Sequence, residues 1–247
     1  TKRSYIDSLY ISTATTFKTK EDFNMPLSLS PDEYREAIYI DFEGEGRSRA
    51  KELREPHMVG EFKPNQKGKG GKYNATYFRE NWDPVKNGAY SSSSVLEFSE
   101  YFDDLALRLE SEDSFLVFWS IHEETVMKEF LSDALFKRLK PRLHNLHPIG
   151  RRYANRRKVF GQGSGSRGRS LEEFFEALYR KRYPMPPITP GPAEVCRRLD
   201  TACDRNKKWK SFSDVQKKYA RDLFAYNKGD CQSTWLIAKK IGNFYAS

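Results

Sequence analysis

The sequence predicts an α/β domain, a mixed central sheet flanked by helices, and three observations carry that expectation. Ala37-Ile38-Tyr39-Ile40-Asp41-Phe42-Glu43 is a β-branched and aromatic run, nearly continuous in apolarity, of the kind buried on both faces at the centre of a sheet. Residues 58–62, 73–78 and 115–119 repeat that character as shorter candidate strands. Val95, Phe98, Phe102, Leu105 and Leu109 fall at helical spacing, and the last quarter of the chain is helical in pattern throughout.

Taken in order, residues 1–36 read as an N-terminal extension, with a short strand over 4–11 and a helix start at Ser30-Pro31-Asp32-Glu33. The strand over 37–43 follows. Two more strands flank the Gly/Lys-rich stretch 63–72, a natural hairpin turn. A helix over 95–109, a strand over 115–119 and a helix over 123–139 come next. The Gly-rich stretch 161–168 reads as linker. Ser170-Leu171-Glu172-Glu173 is a capping box that opens a helix towards Tyr183. The Pro-rich run 184–192 is a loop, and 193–202, 213–226 and 230–241 are helices, the last two candidates for one. Residues 37–247 thus form one domain, with 137–169 as a basic helical and loop insertion.

The chain has 247 residues, 38% of them hydrophobic, with 17 Phe and 14 Tyr to build a core. Mean hydropathy is −0.80, and the longest apolar run, 115–119, is far too short to cross a bilayer. Residues 1–21 hold no apolar segment of the secretory kind. The start without Met is compatible with a piece of a longer protein, and cytoplasmic placement is the expectation. Cys196, Cys203 and Cys231 form no Cys-x-x-Cys pair and are odd in number, which argues against a disulfide framework and a structural zinc site.

The net charge of +9 is unevenly placed. Eleven basic residues and no acidic one lie between Lys137 and Arg169, leaving 32 basic against 34 acidic elsewhere. One segment carries the whole excess. A polyanion such as a nucleic acid backbone is the simplest partner for it, and a solvated surface loop is the alternative.

Asp41 and Glu43 stand two apart on the predicted central strand, so both leave one face while Ile40 and Phe42 leave the other. Two carboxylates at the end of an apolar strand call for a cation, and hard divalent ions take oxygen ligands. Solvation at the Gly44-Glu45-Gly46 turn is the other possibility. Tyr226 and Asp230 fall at i and i+4 on one helix face, with Gly229 allowing a kink or a close approach.

Asp-x-Glu on a first central strand and Tyr-x-x-x-Asp on a late helix resemble the first and third motifs of the DEDD exonuclease superfamily. Tyr226-Asn227-x-x-Asp230-Cys231-Gln232-x-Thr234 is similar in particular to the end of the YprB-type ribonuclease H-like nucleases, found beside RecB-like and helicase modules. The resemblance spans roughly 37–241. It implies a ribonuclease H-like fold, two Mg²⁺ or Mn²⁺ ions and hydrolysis of DNA or RNA, as a 3′-to-5′ exonuclease. The middle motif maps onto Glu123-Glu124-Thr125, with Glu123 the first choice of ligand, Glu124 the second, and a helix-start acid the structural alternative. His122 is open to a base or a surface role.

The resemblance further implies Asp41 bridging two ions ~3.5–4 Å apart, Glu43 and Asp230 completing the first, and Glu123 serving the second. Tyr226 would position the attacking water, since a phenol with a pKa of about 10 is a poor base for it. Arg151, Arg152, Arg156, Arg157 and Lys158 are expected to hold the strand, Tyr153 to stack a base, and Arg167 and Arg169 to fold onto the substrate. That substrate would be a single strand or an end, and a helicase is a candidate partner. The competing expectation is a ribonuclease H-like module of a repair or defence assembly that binds nucleic acid without cutting it. A P-loop ATPase and a Ser/His/Asp hydrolase are disfavoured, for want of a Gly-x-x-x-x-Gly-Lys-[Ser/Thr] pattern and of a nucleophile elbow.

Overall fold

The computed structural model describes residues 29–46, 52–65, 68–89, 93–161, 169–185 and 188–246. Its centre is β1 (Ile38–Glu43). β2 (Met58–Pro64) runs antiparallel to β1, β3 (Gly71–Tyr77) antiparallel to β2, and β4 (Ser93–Val95) parallel to β3. On the other side β5 (Leu116–Phe118) lies parallel to β1, and β6 (Leu143–Asn145) parallel to β5. The result is a six-stranded mixed sheet of order β4-β3-β2-β1-β5-β6. The strand expected over 4–11 and the 162–168 linker lie outside the described residues.

The alternation of β1 sorts the two faces. Ile38, Ile40 and Phe42 point towards α3 (Phe98–Ser111), where Phe98, Phe102, Leu105 and Leu109 complete an apolar cluster. Glu61 of β2 leaves on that same face. It is buried and tied to Arg108 through two hydrogen bonds of 2.8 and 2.6 Å, with the Tyr101 hydroxyl donating at 3.2 Å. A buried charge held by a forked guanidinium is the arrangement burial requires.

Tyr39, Asp41 and Glu43 leave the opposite face, which is covered by α9 (Asp214–Ala246). Trp235 of α9 packs on Phe62 with centroids 5.2 Å apart, and Phe224 meets Tyr73 edge-on at 4.9 Å. Asn227 meets Asp41 while Trp235 meets Phe62, the cross-strand partner of Tyr39, so α9 runs antiparallel to β1. The two helices expected over 213–226 and 230–241 are one, about 50 Å long at 1.5 Å per residue. Gly229 does not interrupt it. A Cβ there would lie 2.1 Å from Met185 Cγ, so the glycine admits the chain that follows α7 (Leu171–Tyr179).

Hydroxyl caps set several helix starts. Ser30, Ser120 and Ser170 each close a capping box, at α1 (Pro31–Glu36), α4 (Ile121–Phe130) and α7. The helix expected over 123–139 is two, because Ser132 caps a separate α5 (Asp133–Leu139). Val95, read as helical, belongs to β4. A short α2 (Asp83–Ala89) precedes β4, and α8 (Pro192–Arg205) extends past its expected ends. The 137–169 segment is no simple insertion: it supplies the edge strand β6 and then α6 (Leu146–Arg156), whose Leu146, Ile149 and Tyr153 are buried. Cys196, Cys203 and Cys231 are buried free thiols. No described helix is long and apolar enough to cross a membrane.

Candidate metal centre

The site forms where the carboxyl end of β1 meets α9. Strand alternation puts Asp41 and Glu43 on the α9 side, and helical spacing puts Asn227 and Asp230 on the side of α9 that faces them. Opposite Asp41 in register stands Gly60. A Cβ at Gly60 would fall 1.7 Å from Asn227 Oδ1. The missing side chain is therefore the space into which α9 lowers Asn227. From there Asn227 Nδ2 donates to the Asp41 backbone carbonyl at 3.0 Å and to Asp41 Oδ2 at 2.9 Å. Its Oδ1 accepts from the Tyr73 hydroxyl at 2.7 Å. Carboxylate oxygens of Asp41, Glu43 and Asp230 all lie within 4.8 Å of one another.

Glu123 sits at the third position of α4, the next element after β5. Its Oε2 accepts from the Ser120 amide at 3.2 Å and from Ser120 Oγ at 2.9 Å, and the side chain is buried. It therefore caps a helix, and it is also close enough to act on the charges of both Asp41 and Asp230. Glu124 turns away and pairs with Lys140. His122 is exposed.

Desolvation, then mutual repulsion, dominates the electrostatics. The Asp41 carboxyl is held well above the usual carboxylate range, first by desolvation and then by Asp230, Glu43 and Glu123. Glu43 is raised in the same way, by desolvation and then Asp230. Desolvation pushes Glu123 up to about 7. Asp230 is also pushed up to about 7 by desolvation, which the Tyr183 hydrogen bond opposes and the charges of Glu172 and Glu123 reinforce. Glu43 Oε1 is buried with no hydrogen-bond partner. Four acids, Glu43 and Glu123 buried and Asp41 and Asp230 half-buried, with a lone pair left unused among them, fit a hard divalent cation taking oxygen ligands.

Two tyrosines flank Asp230. Tyr226 is half-buried, its phenol raised by burial and then by Asp230 and Glu43, so it faces the cluster as a neutral donor. The phenol that hydrogen-bonds the carboxylate is another one: Tyr183 donates to Asp230 Oδ1 at 2.5 Å. Its own amide is held by Glu176 Oε1 at 2.9 Å, and its ring meets Phe175 edge-on at 5.5 Å. The sequence alone assigns no role to Tyr183 or Asn227. Asn227 stands within the Tyr-x-x-x-Asp motif, whereas no local pattern marks Tyr183, which reaches Asp230 only through the packing of Met185 on Gly229.

A second convergence lies further along the same end of the sheet. Ligand atoms of Glu45, His57 and Asp200 also lie within 4.8 Å of one another. Here the acids already have partners. His57 Nε2 is 2.6 Å from Asp200 Oδ2, Trp82 Nε1 donates to Asp200 Oδ1 at 2.6 Å, and Arg54 pairs with Glu45. His57 and Trp82 draw Asp200 below its usual range against the cost of burial. This network ties His57, just ahead of β2, to α8, and it leaves His57 Nδ1 buried without a hydrogen-bond partner.

The basic residues expected to grip the substrate are scattered. Tyr153, assigned to base stacking, is 6% exposed and packs against Phe244 at 5.1 Å, so it is a core residue. The reason is helical phase: Leu146, Ile149 and Tyr153 share the inward face of α6. Arg151 is half-buried, and Arg152, Arg156, Arg157 and Lys158 are exposed. The guanidiniums of Arg156 and Arg157 lie 5.7 and 5.2 Å from the Phe244 ring. Phe244 is on α9, fourteen residues beyond Asp230, about 21 Å along the helix axis. Arg169 is paired with Glu173 at 2.7 Å, and Arg167 lies outside the described residues. The cations of 137–169 are thus partly neutralised and lead away from the acids. Comparison of the chain with known protein families finds no match, and comparison with curated proteins finds none.

Proposed function

We propose that the chain is a metal-dependent nuclease of ribonuclease H-like architecture that hydrolyses phosphodiester bonds of DNA or RNA. The observation that carries this reading is the convergence of Asp41 and buried Glu43 from β1 with Asp230 from α9, with Glu43 Oε1 left without a partner and buried Glu123 of α4 near enough to act on the charges of Asp41 and Asp230. Withdrawing that much like charge from water is costly unless cations meet it. The strand order is compatible with the same architecture, in which an antiparallel trio is extended by parallel strands on the far side of β1.

Asp41, Glu43 and Asp230 would hold Mg²⁺ or Mn²⁺, with Glu123 beside them. Bound divalent ions would supply the positive charge that draws the scissile phosphate and stabilises the attacking and leaving oxygens. The chain's own residues set the geometry. Asn227 fixes the Asp41 rotamer from below, Tyr183 fixes Asp230 from the side, and Gly60 makes the approach of α9 possible. Tyr226, kept protonated, offers a hydroxyl to orient the attacking water. Removal of nucleotides from a 3′ end and cooperation with a helicase belong to the same proposal.

The test is cleavage of end-labelled single- and double-stranded DNA and RNA with Mg²⁺ or Mn²⁺ against an EDTA control. Cleavage that needs the metal and is lost in Asp41→Ala and Asp230→Asn supports the nuclease, and the product ladder gives polarity. A wild type that binds nucleic acid but never cuts it points to the second reading, a non-cutting module. The observation behind that reading is that Glu123 is engaged in capping α4.

A further inference from the structure

A run of three cations outside the segment that carries the chain's charge excess leads directly into the residue that hydrogen-bonds Asp230. α7 ends at Tyr179, and Arg180 turns the backbone through the left-handed region at φ 52° and ψ 38°. Lys181 and Arg182 follow, and then Tyr183, whose hydroxyl donates to Asp230 Oδ1. Arg180, Lys181 and Arg182 are all exposed, and among the described residues none of the three forms an ion pair. Tyr183 is buried and fixed at three points, by Asp230, by Glu176 and by Phe175. The base of the triplet is therefore anchored while its side chains are free to meet an anion.

Position separates this triplet from the cations of 137–169. Arg182 is the covalent neighbour of Tyr183, and consecutive Cα atoms are about 3.8 Å apart, so it springs from the residue that touches the acid cluster. Arg156 and Arg157 cover Phe244, about 21 Å down α9 from Asp230. Within 137–169, Arg138 pairs with Glu110, Lys140 with Glu124, Arg142 with Asp113 and Arg169 with Glu173.

We infer that Arg180, Lys181 and Arg182 are the phosphate-binding element of this site, gripping a single-stranded nucleic acid backbone next to the acid cluster while Tyr183 locks the turn to Asp230. The inference rests on the nuclease reading for its substrate class. Three guanidinium or ammonium groups on one short turn can meet consecutive phosphates, and an anionic strand approaching four carboxylates needs such groups close by.

The test is the salt dependence of binding of a short fluorescein-labelled single-stranded DNA, followed by anisotropy in an Asp41→Ala background so that no cutting occurs. For a single strand, every phosphate-binding cation that is neutralised flattens the plot of log K against log salt by about 0.7. The combined variant Arg180→Gln, Lys181→Gln, Arg182→Gln is expected to flatten it by about 2, and Arg182→Gln alone by about a third of that. Arg152→Gln, Arg156→Gln, Arg157→Gln together are expected to change it less. An unchanged slope in the 180–182 variant, or a larger change in the helix variant, overturns the inference. Wild-type cleavage, assayed in parallel, reports on the nuclease reading separately: cutting with an unaffected slope leaves that reading standing and removes only this one. A chain that neither cuts nor binds removes both.

Discussion

Asn227 Nδ2 holds Asp41 twice, through its backbone carbonyl at 3.0 Å and its side-chain Oδ2 at 2.9 Å, while Asn227 Oδ1 takes the Tyr73 hydroxyl. One buried amide thus joins α9, β1 and β3 at the point where the acids meet. Groups that orient metal ligands are worth about 10–100-fold in metal affinity. Asn227→Ala is expected to weaken Mn²⁺ binding by about that factor. Stability should fall by about 1–3 kcal/mol, because the substitution strips hydrogen-bond partners from Tyr73 and Asp41. Calorimetric titration with Mn²⁺ and urea unfolding of the same sample measure the two effects.

Gly60→Ala tests whether the gap in β2 is what admits α9. The new Cβ would lie 1.7 Å from Asn227 Oδ1 and 2.7 Å from the Tyr73 hydroxyl. Overpacking of this kind costs about 1–3 kcal/mol, and Asn227 must leave Asp41 to relieve it. Weakened Mn²⁺ binding together with reduced stability is the expected pair. A stable variant with wild-type Mn²⁺ affinity would show that the Asn227–Asp41 hydrogen bonds are dispensable.

Tyr183→Phe and Tyr226→Phe separate the two phenols. Tyr183 touches Asp230 and Tyr226 only faces it. Tyr183→Phe is therefore expected to lower Mn²⁺ affinity about 10-fold, whereas Tyr226→Phe leaves affinity nearly unchanged and lowers the cleavage rate. Tyr179→Phe is the control, since it removes a hydrogen bond to the Leu236 carbonyl elsewhere on α9. Equal effects on Mn²⁺ from Tyr179→Phe and Tyr183→Phe would mean that the effect is structural.

The raised carboxyls make the metal-free protein sensitive to base. Asp230 and Glu123 titrate at about 7 in the fold, against about 3.9 and 4.3 in an unfolded chain. The folded state therefore holds protons that the unfolded state has released. Stability from this source is complete below about pH 4 and is lost as pH rises through about 7, at about 1.4 kcal/mol per pH unit for each proton held. Thermal unfolding in EDTA should show a lower midpoint at pH 8 than at pH 6. Saturating Mg²⁺ should remove the difference, because the ion replaces those protons. A midpoint that does not respond to pH in EDTA contradicts the clustering of the acids.

The parts of this architecture legible in the sequence are those set by local pattern. β1 is readable because Ile38, Tyr39 and Ile40 leave no polar face, and the start of α7 because Ser170 and Glu173 form a capping box. Asp41, Glu43 and Asp230 follow from strand alternation and from a motif in sequence. β6 and α6 are obscured because eleven cations mask a buried face made by few residues, Leu146, Ile149 and Tyr153 among them. The capping Ser132 that splits 123–139 is visible in the sequence but is outweighed there by continuous helical spacing. Tyr183 is out of reach of sequence reasoning, because its hydrogen bond to Asp230 depends on a glycine groove in a helix forty-six residues downstream.

The central claim is that Asp41, Glu43 and Asp230 form a divalent-cation centre, and the direct measurement is a Mn²⁺ titration followed by electron paramagnetic resonance of free Mn²⁺. Wild-type protein is predicted to take up Mn²⁺, with Asp41→Asn and Asp230→Asn each abolishing the uptake, and Glu45→Gln at the neighbouring His57 network leaving it intact. Absence of uptake by the wild type, or uptake that survives Asp41→Asn, would contradict the account.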